Sequence, residues 1–232
     1  MLCESTLTVL CTQTTSELNS GAKFSLKDIR AIDIPILVVN LPNRLDRKAH
    51  TKDLLAAVGF TTVSFPQTLL LNAEGDNMMH NGGWIAESFK EEFSEFAEKR
   101  SGHIPDIAST LTMLLLMRKA LDLGLTQFGI FEDDLMIGLS PLETNTVIRR
   151  ALLELPATAD LLYLEACYGD CENWKTVPGA PHLLQIRSSS CTGAIIYTAK
   201  GAVNVLENAM PVYDWLGKML PDLVSKGKLE VK

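Results

Sequence analysis

The sequence predicts an α/β fold with a mostly parallel central sheet. Apolar runs of strand type alternate along the chain with helix-like segments, the pattern produced by βαβ units. The first run, residues 34–41, is continuous rather than alternating, as expected of an inner strand buried on both faces. The 232 residues are 47% hydrophobic and 21% charged, which suits one globular domain.

The first half of the chain continues with a basic loop and a helix that reaches Val58. Gly59 follows as the expected stop, because glycine readily takes the left-handed conformation that ends helices. Further elements are predicted as follows: a short strand over 61–65, an Asn- and Gly-rich loop over 71–83, a surface helix over 84–100, and an interior helix over 107–121 ended by Gly124.

The second half opens with the most unusual stretch of the sequence. An apolar run over 127–131 ends in the three carboxylates Glu132, Asp133 and Asp134, and a second apolar run, 135–137, follows at once. The later predictions are a helix over 141–155, a strand over 160–164, a Pro/Gly loop over 177–181, a strand over 188–198, helices over 199–210 and from 211, and an edge strand over 227–232.

Charge and hydropathy exclude some functions. The net charge of -7 and the pI of about 5.1 argue against a general nucleic-acid or anionic-membrane binder, which needs Lys and Arg to neutralise phosphates. The longest apolar segment, residues 107–116, is shorter than the roughly 18 residues of a membrane span. The N-terminus lacks the basic region of a signal peptide. We therefore expect a soluble domain.

The five cysteines, at positions 3, 11, 167, 171 and 191, match no zinc-binding spacing. Three of them fall within 25 residues, which permits one disulfide. Buried free thiols in a cytosolic protein are the equally weighted alternative.

Three adjacent acids at the end of a buried strand repel one another and lose hydration. A divalent cation with oxygen ligands compensates both costs, so the triplet predicts a metal site; a charged turn after a strand is the alternative. The basic residues Arg44, Arg47 and Lys48 follow the first strand, where loops of open α/β sheets bind ligands. They suit a phosphate, or simply form the solvated first turn of a helix.

Four segments together resemble glycosyltransferase family 25, which includes lipooligosaccharide-biosynthesis and collagen galactosyltransferases. The segments appear in the order of the family: VVNLPNRLDRKAHTKDLLAAVGF (38–60), LTQFGIFEDDLMI (125–137), DLLYLEACYGDC (160–171) and CTGAIIYTAKGAVNVLENAMPVYDWL (191–216). The most specific feature is the pairing of a strand-loop of the VxNLxxRxDR type with a strand that ends in EDD.

The resemblance implies a GT-A fold, a Rossmann-like sheet that binds a UDP-sugar with Mn²⁺ (or Mg²⁺). The implied activity is metal-dependent, inverting transfer of a hexose, galactose above all, to a hydroxyl of a glycan or glycoprotein acceptor. The implied domain spans residues 31–232 after a poorly defined N-terminal extension over 1–30. Similar proteins continue beyond the position of Lys232, which is consistent with a truncated domain.

The resemblance also assigns residues. Asp134 matches the metal ligand, Glu132 a metal or ribose ligand, and Asp133 a sugar contact or a structural role. The remaining donor-binding residues are Asn40 and the backbone at Leu41 for the nucleoside, and Arg44 and Arg47 for the nucleotide or the order of the loop. The base that takes the acceptor proton stays open among Asp214, which matches a family acid, Glu165 and Asp170.

Two histidines of the family are missing here. A Ser-His pair is replaced by residues 107–110 (IAST), and CTHAY by residues 191–195 (CTGAI). A catalytically inactive GT-A-like binding or scaffolding module is therefore the alternative; a receiver-type phosphoacceptor domain fits less well, because it is about half this length. Family members act in the bacterial cytoplasm and in the eukaryotic secretory pathway, and both compartments remain open.

Overall fold

The computed structural model describes residues 29–69, 83–84, 103–167, 174–186 and 189–231. The loop predicted over 71–83 and the helix predicted over 84–100 lie almost entirely outside these ranges. The candidate base Asp170 and most of the N-terminal extension also lie outside them.

Twelve helices and strands make up the described part of the chain. The strands are β1 (Ile36–Val39), β2 (Val63–Ser64), β3 (Gln127–Glu132), β4 (Leu161–Tyr163), β5 (Lys175–Val177), β6 (Ala180–Gln185) and β7 (Ala194–Thr198). The helices are α1 (Leu45–Val58), α2 (His103–Asp122), α3 (Pro141–Glu154), α4 (Ala199–Asn208) and α5 (Leu216–Ser225).

Five strands form one mixed sheet in the order β2-β1-β3-β7-β4. β1 pairs in parallel with β2 and β3, whereas β7 is antiparallel to both β3 and β4. Four strands therefore run in one direction, and β7 runs against them between β3 and β4. The predicted α/β class is confirmed, with a sheet that is only partly parallel.

Helices cover both faces of this sheet. On β1, Leu37 packs into a core with α2, α4 and α5, while Ile36 and Val38 point into a second core with α1, α3 and the β5–β6 hairpin. Ile36 and Val38 are fully buried. The prediction of an inner strand is confirmed, and its continuous apolar character follows from burial on both faces.

Glycines end two of the predicted helices. Gly59 follows α1 with φ 101°, and its backbone N–H donates to the Leu55 and Ala56 carbonyls. Gly124 follows α2 with φ 72°. A left-handed residue at these positions satisfies carbonyls that the helix leaves open, and glycine adopts it without strain.

The structure corrects the loop predicted over 177–181. These residues form the turn and part of the strands of the two-stranded sheet β5–β6, with Gly179 at φ 77° in the turn. Pro and Gly are common both in tight turns between strands and in longer loops, so the composition of Pro178-Gly179 does not distinguish the two. The helix predicted from residue 211 begins later, at Leu216, and the strand predicted over 188–198 begins at Ala194.

The tail of the chain reaches the edge of the main sheet beside β4. Val231 makes an isolated parallel bridge to Leu161, and the Asp160 N–H donates to the Glu230 carbonyl over 2.8 Å. The predicted edge strand is present in this abbreviated form. Within the described ranges, no helix has the length and apolarity that crossing a membrane requires.

Candidate functional site

A cleft of about 680 Å³ opens at the edge of the sheet where β3 and β4 end and β7 begins. We call it the carboxyl-edge cleft. Its lining comprises Asp106, Ser109, Thr110, Met113, Glu132, Asp134, Leu135, Met136, Ile137, Gly138, Glu165, Ser190, Cys191, Thr192, Gly193, Trp215, Leu216 and Gly217. Its volume lies within the range of small-molecule sites, about 300–1,000 Å³.

Strand direction explains why acids separated by 33 residues share this cleft. β3 and β4 both run antiparallel to β7, so they point the same way and their carboxyl ends meet the same edge. Glu132 is the last residue of β3, and Glu165 follows β4 by two residues. The structure thus brings together Glu132, Asp134 and Glu165.

Glu132 is held by the segment that enters β7. The Thr192 hydroxyl donates a 2.6 Å hydrogen bond to Glu132 Oε1, and the Glu132 N–H donates to the Gly193 carbonyl over 2.7 Å. Burial raises the pKa of Glu132, and the charges of Asp134, Glu165 and Asp133 raise it further, against the hydrogen bond from Thr192. A nearby cation would stabilise the charged form of Glu132 and offset this rise in pKa.

Glu165 lies directly over Gly193. A Cβ added at Gly193 would collide with Glu165 Oε2, so a larger residue at this position would require the Glu165 carboxylate to move. Burial raises the pKa of Glu165, and repulsion by Asp134 adds to the effect. The Glu165 carboxylate therefore occupies the space beside Gly193 that a side chain would otherwise fill.

Asp133 faces away from the cleft, into a network of hydrogen bonds below the edge of the sheet. It is 7% exposed, and it accepts from Asn40 Nδ2 over 2.6 Å and from Arg47 Nη1 over 3.0 Å. The Thr51 hydroxyl donates to the Asp133 carbonyl over 2.8 Å. Asp133 therefore ties the loop after β3 to the loop after β1 and to α1, and of its two predicted roles this geometry favours the structural one.

Asp134 has the opposite environment to its neighbour. Its side chain is 55% exposed, it lines the cleft, and it forms an ion pair with Arg47 Nη1 over 3.3 Å. An exposed carboxylate at a cleft keeps lone pairs for an incoming ligand. Arg47 contacts both aspartates, which fits the role of ordering the loop.

The other residues predicted to bind the donor lie beside the cleft and not in its lining. Asn40 is buried against Asp133, and its Nδ2 also donates to the Arg44 carbonyl over 3.1 Å. The Arg44 N–H donates to the Leu41 carbonyl over 2.9 Å, and the Arg44 guanidinium pairs with Asp46 at the surface. The Arg44 guanidinium is close enough to Asp133 and Asp134 for their charges to contribute to the raised pKa of Arg44, although neither Leu41 nor Arg44 lines the cleft.

Asp214 is also outside the lining of the cleft, although the next three residues belong to it. Its carboxylate pairs with Lys218 Nζ and accepts from the Trp215 N–H over 2.9 Å. These contacts place Asp214 at the start of α5 as a buried, partnered acid. The Leu216 N–H donates to Thr110 Oγ1 over 3.0 Å, which joins α5 to α2 at the wall of the cleft.

A disulfide joins Cys167 and Cys191 across the same edge, with their Cα atoms 5.4 Å apart. One disulfide among the last three cysteines was an open prediction, and the structure supplies this pair. Together with Glu165 the two sulfurs form the one group of three metal-ligand side chains within 4.8 Å in the described part of the chain. Glu132, Asp134 and Glu165 do not form such a group.

No protein-family model matches the sequence, and no curated protein matches it. The chemistry of the carboxyl-edge cleft therefore carries the functional argument.

Sequence reasoning missed the residues that position the acids. These residues are Thr51, Thr192 and Gly193. The two threonines have short side chains and the glycine has none, and each contacts a chain segment that is distant in sequence. The signal for Gly193 was present, because glycine stands where the resemblance expects histidine. The signal for Thr51 and Thr192 was absent, because threonine is common in helices and strand ends alike.

Proposed function

We propose that this protein is a metal-dependent glycosyltransferase that moves a hexose, galactose in the first instance, from a UDP-sugar to a hydroxyl of a glycan or glycoprotein. The observation that carries the proposal is the cleft itself, in which Glu132, Asp134 and Glu165 meet at the carboxyl edge of an α/β sheet. Ligands of open α/β sheets bind at this edge. The assignment to a GT-A fold and to family 25 belongs to the same proposal.

The donor set suits a hard divalent cation. Asp134 offers an exposed carboxylate, and Glu132 a half-buried one whose pKa burial and neighbouring acids raise. Ions such as Mn²⁺ and Mg²⁺ prefer oxygen ligands and are commonly held by one or two carboxylates plus substrate phosphates. Asp134 and Glu132 would hold the ion, which when bound supplies Lewis-acid stabilisation to the departing diphosphate.

Of the two candidate bases that lie within the described residues, Glu165 is the better supported. It lines the cleft, whereas Asp214 is paired with Lys218 outside the lining. A base works best when its pKa lies near the operating pH, and burial moves the pKa of Glu165 in that direction. In an inverting transfer Glu165 takes the proton of the acceptor hydroxyl as the oxygen attacks the anomeric carbon.

The disulfide bears on the compartment. Disulfides persist in oxidising environments and are rare in the cytosol. The Cys167–Cys191 bridge therefore favours the secretory pathway over the cytoplasm as the place of action.

The test is calorimetric titration of UDP into the purified protein, with Mn²⁺ and then with excess EDTA. We expect binding that requires Mn²⁺ and that Asp134→Ala abolishes. Asp53→Ala removes an exposed carboxylate of α1 that is not in the lining of the cleft, and it should bind as the parent does. A cooperatively melting protein that binds no UDP in any condition would sink the transferase proposal.

A catalytically inactive nucleotide-binding or scaffolding module is the second candidate. It is favoured by Arg47, whose guanidinium already gives Asp133 and Asp134 a cationic partner without a metal. UDP binding that is equal in Mn²⁺ and EDTA, with no hydrolysis of UDP-sugars, would support this module against the enzyme.

A further inference from the structure

A second group of possible metal ligands lies on the wall of the carboxyl-edge cleft. One member, Glu165, is the proposed base, but the group as a whole has no role in the proposed transfer. We call Glu165, Cys167 and Cys191 the Glu–Cys–Cys cluster. Their ligand atoms all lie within 4.8 Å of one another, and Cys167 Sγ is 4.0 Å from Glu165 Oε1. Cys167 is buried, while Glu165 and Cys191 line the cleft.

This spacing suits a tetrahedral zinc ion once the sulfurs are separate. Bond lengths of about 2.3 Å to sulfur and about 2.1 Å to oxygen place tetrahedral ligand atoms roughly 3.5–3.8 Å apart. The Cα atoms of the two cysteines are 5.4 Å apart, so rotation of the side chains suffices to open this space. Two thiolates favour Zn²⁺ over the hard cations that oxygen ligands favour.

The cluster does not depend on the disulfide alone for its geometry. The Ser190 N–H donates to the Cys167 carbonyl over 3.1 Å, and the Cys167 N–H donates to Ser189 Oγ over 3.3 Å. The Leu164 N–H also donates to the Ala194 carbonyl over 2.9 Å. These bonds connect the segment after β4 to the segment before β7, so the two thiols stay adjacent after reduction.

We propose that the reduced protein binds one Zn²⁺ at Glu165, Cys167 and Cys191, with a fourth position open to water from the cleft. A dithiol reductant supplies two electrons, becomes a cyclic disulfide and leaves two protein thiols. Each thiol then releases one proton when it binds the metal as a thiolate. The site exists only in the reduced protein, because disulfide sulfurs are not thiolate ligands.

The site has a consequence that rests on the proposed function. Glu165 bound to Zn²⁺ is no longer free to accept the proton of an acceptor hydroxyl. Reduction in the presence of Zn²⁺ therefore stops transfer while leaving Asp134 and the UDP site in place. A small-molecule disulfide that accepts two electrons from the two thiolates re-forms the Cys167–Cys191 bridge, and Zn²⁺ leaves and frees Glu165.

The experiment uses the variant Cys3→Ser/Cys11→Ser/Cys171→Ser, so that the two cysteines of the cluster are the only ones left. The protein, reduced with a dithiol that is then removed without oxygen, is titrated with Zn²⁺ against a chromophoric chelator. Co²⁺ serves as a spectroscopic probe of thiolate bonding. We expect one Zn²⁺ per chain, a sulfur-to-cobalt charge-transfer band, and no binding by the oxidised protein. No nucleotide is present, so the result is independent of UDP binding.

Further substitutions in this background identify the ligands. Cys167→Ser and Cys191→Ser should each weaken Zn²⁺ binding by more than about 100-fold, the upper end of what loss of an outer-shell partner costs. Glu165→Gln, which keeps both thiols, should weaken it by about tenfold or more. Glu207→Gln, at an exposed acid of α4, should bind as the parent does.

Three results would overturn the proposal. They are a reduced parent that melts cooperatively but binds no Zn²⁺, a reduced parent that no longer melts cooperatively, and Zn²⁺ binding that survives both Cys167→Ser and Cys191→Ser.

Discussion

At the scale of single residues, two adjacent aspartates with the same chemistry lie in opposite environments. Asp133 is 7% exposed and bound by Asn40 and Arg47, whereas the Asp134 side chain is 55% exposed at the cleft. The sequence predicted that the triplet needs compensation. It offered two roles for Asp133, because which of two neighbouring side chains turns inward depends on the turn that follows β3.

The role of Asn40 is testable through stability. Asn40→Ala removes a 2.6 Å hydrogen bond to the buried Asp133 carboxylate, and a charged group left short of a donor costs about 1–3 kcal/mol. We expect a loss of this size in urea denaturation. The matched control is Arg44→Ala, which breaks a solvent-exposed pair with Asp46 and should change stability little. Equal effects of the two substitutions would contradict the anchoring role of Asp133.

Glu165 gives a dependence of stability on pH. Its folded pKa is raised above the ordinary 4.5, so its contribution to stability is present below that value and is lost as pH rises through the raised pKa. We expect Glu165→Gln to be more stable than the parent at pH 7, with a difference that shrinks as pH falls through the raised pKa towards 4.5. Denaturation curves at several pH values measure it.

For Glu143 the dependence of stability on pH has the opposite sign. Hydrogen bonds from the Ser140 side chain and backbone lower its pKa, so its contribution is present above the ordinary value of 4.5 and is lost as pH falls through the lowered one. Glu143→Ala should be less stable than the parent at pH 7. The same sign of change for both substitutions would contradict the assigned environment of Glu165.

At the scale of elements, helix ends were easier to predict than strands. Gly59 and Gly124, both predicted as helix stops, follow α1 and α2. Ser140 and Glu143 form a capping box at the start of α3 that was not predicted, although its sequence pattern is local. These signals are local, so sequence carries them. The β5–β6 hairpin was missed because its Pro178-Gly179 turn has the composition of a loop, and pairing of short strands is not a local property.

The hairpin packs on α3 in the second apolar core, and Glu154 adds a polar contact to this packing. Glu154, the last residue of the helix, accepts from the His182 N–H over 2.9 Å and pairs with His182 Nδ1. We expect Glu154→Ala to speed amide exchange in the hairpin by about fivefold, the effect of losing a hydrogen bond worth about 1 kcal/mol. Glu207→Ala, at an exposed residue of α4, is the control. Unchanged exchange in β5 and β6 would contradict the contact.

At the scale of the whole molecule, the direction of β7 in the sheet could not be predicted from the sequence. Its residues are buried on both faces, and a continuous apolar strand looks the same whether it runs with or against its neighbours. The α/β class was predictable, because alternation of strands and helices is itself a sequence pattern. That acids follow both β3 and β4 was predictable too, whereas the pairing of Cys167 with Cys191 required the fold.

The reversed strand β7 also acts as a spacer. Neighbouring strands lie about 4.8 Å apart, so β7 keeps the ends of β3 and β4 roughly 10 Å from each other. Glu132 and Glu165 both lean onto the residues that lead into β7, through Thr192 and over Gly193. Both carboxylates therefore depend on one short entry segment that lies outside the paired residues of β7. We expect substitutions at Thr192 or Gly193 to change the width of the cleft while the strand pairs stay intact.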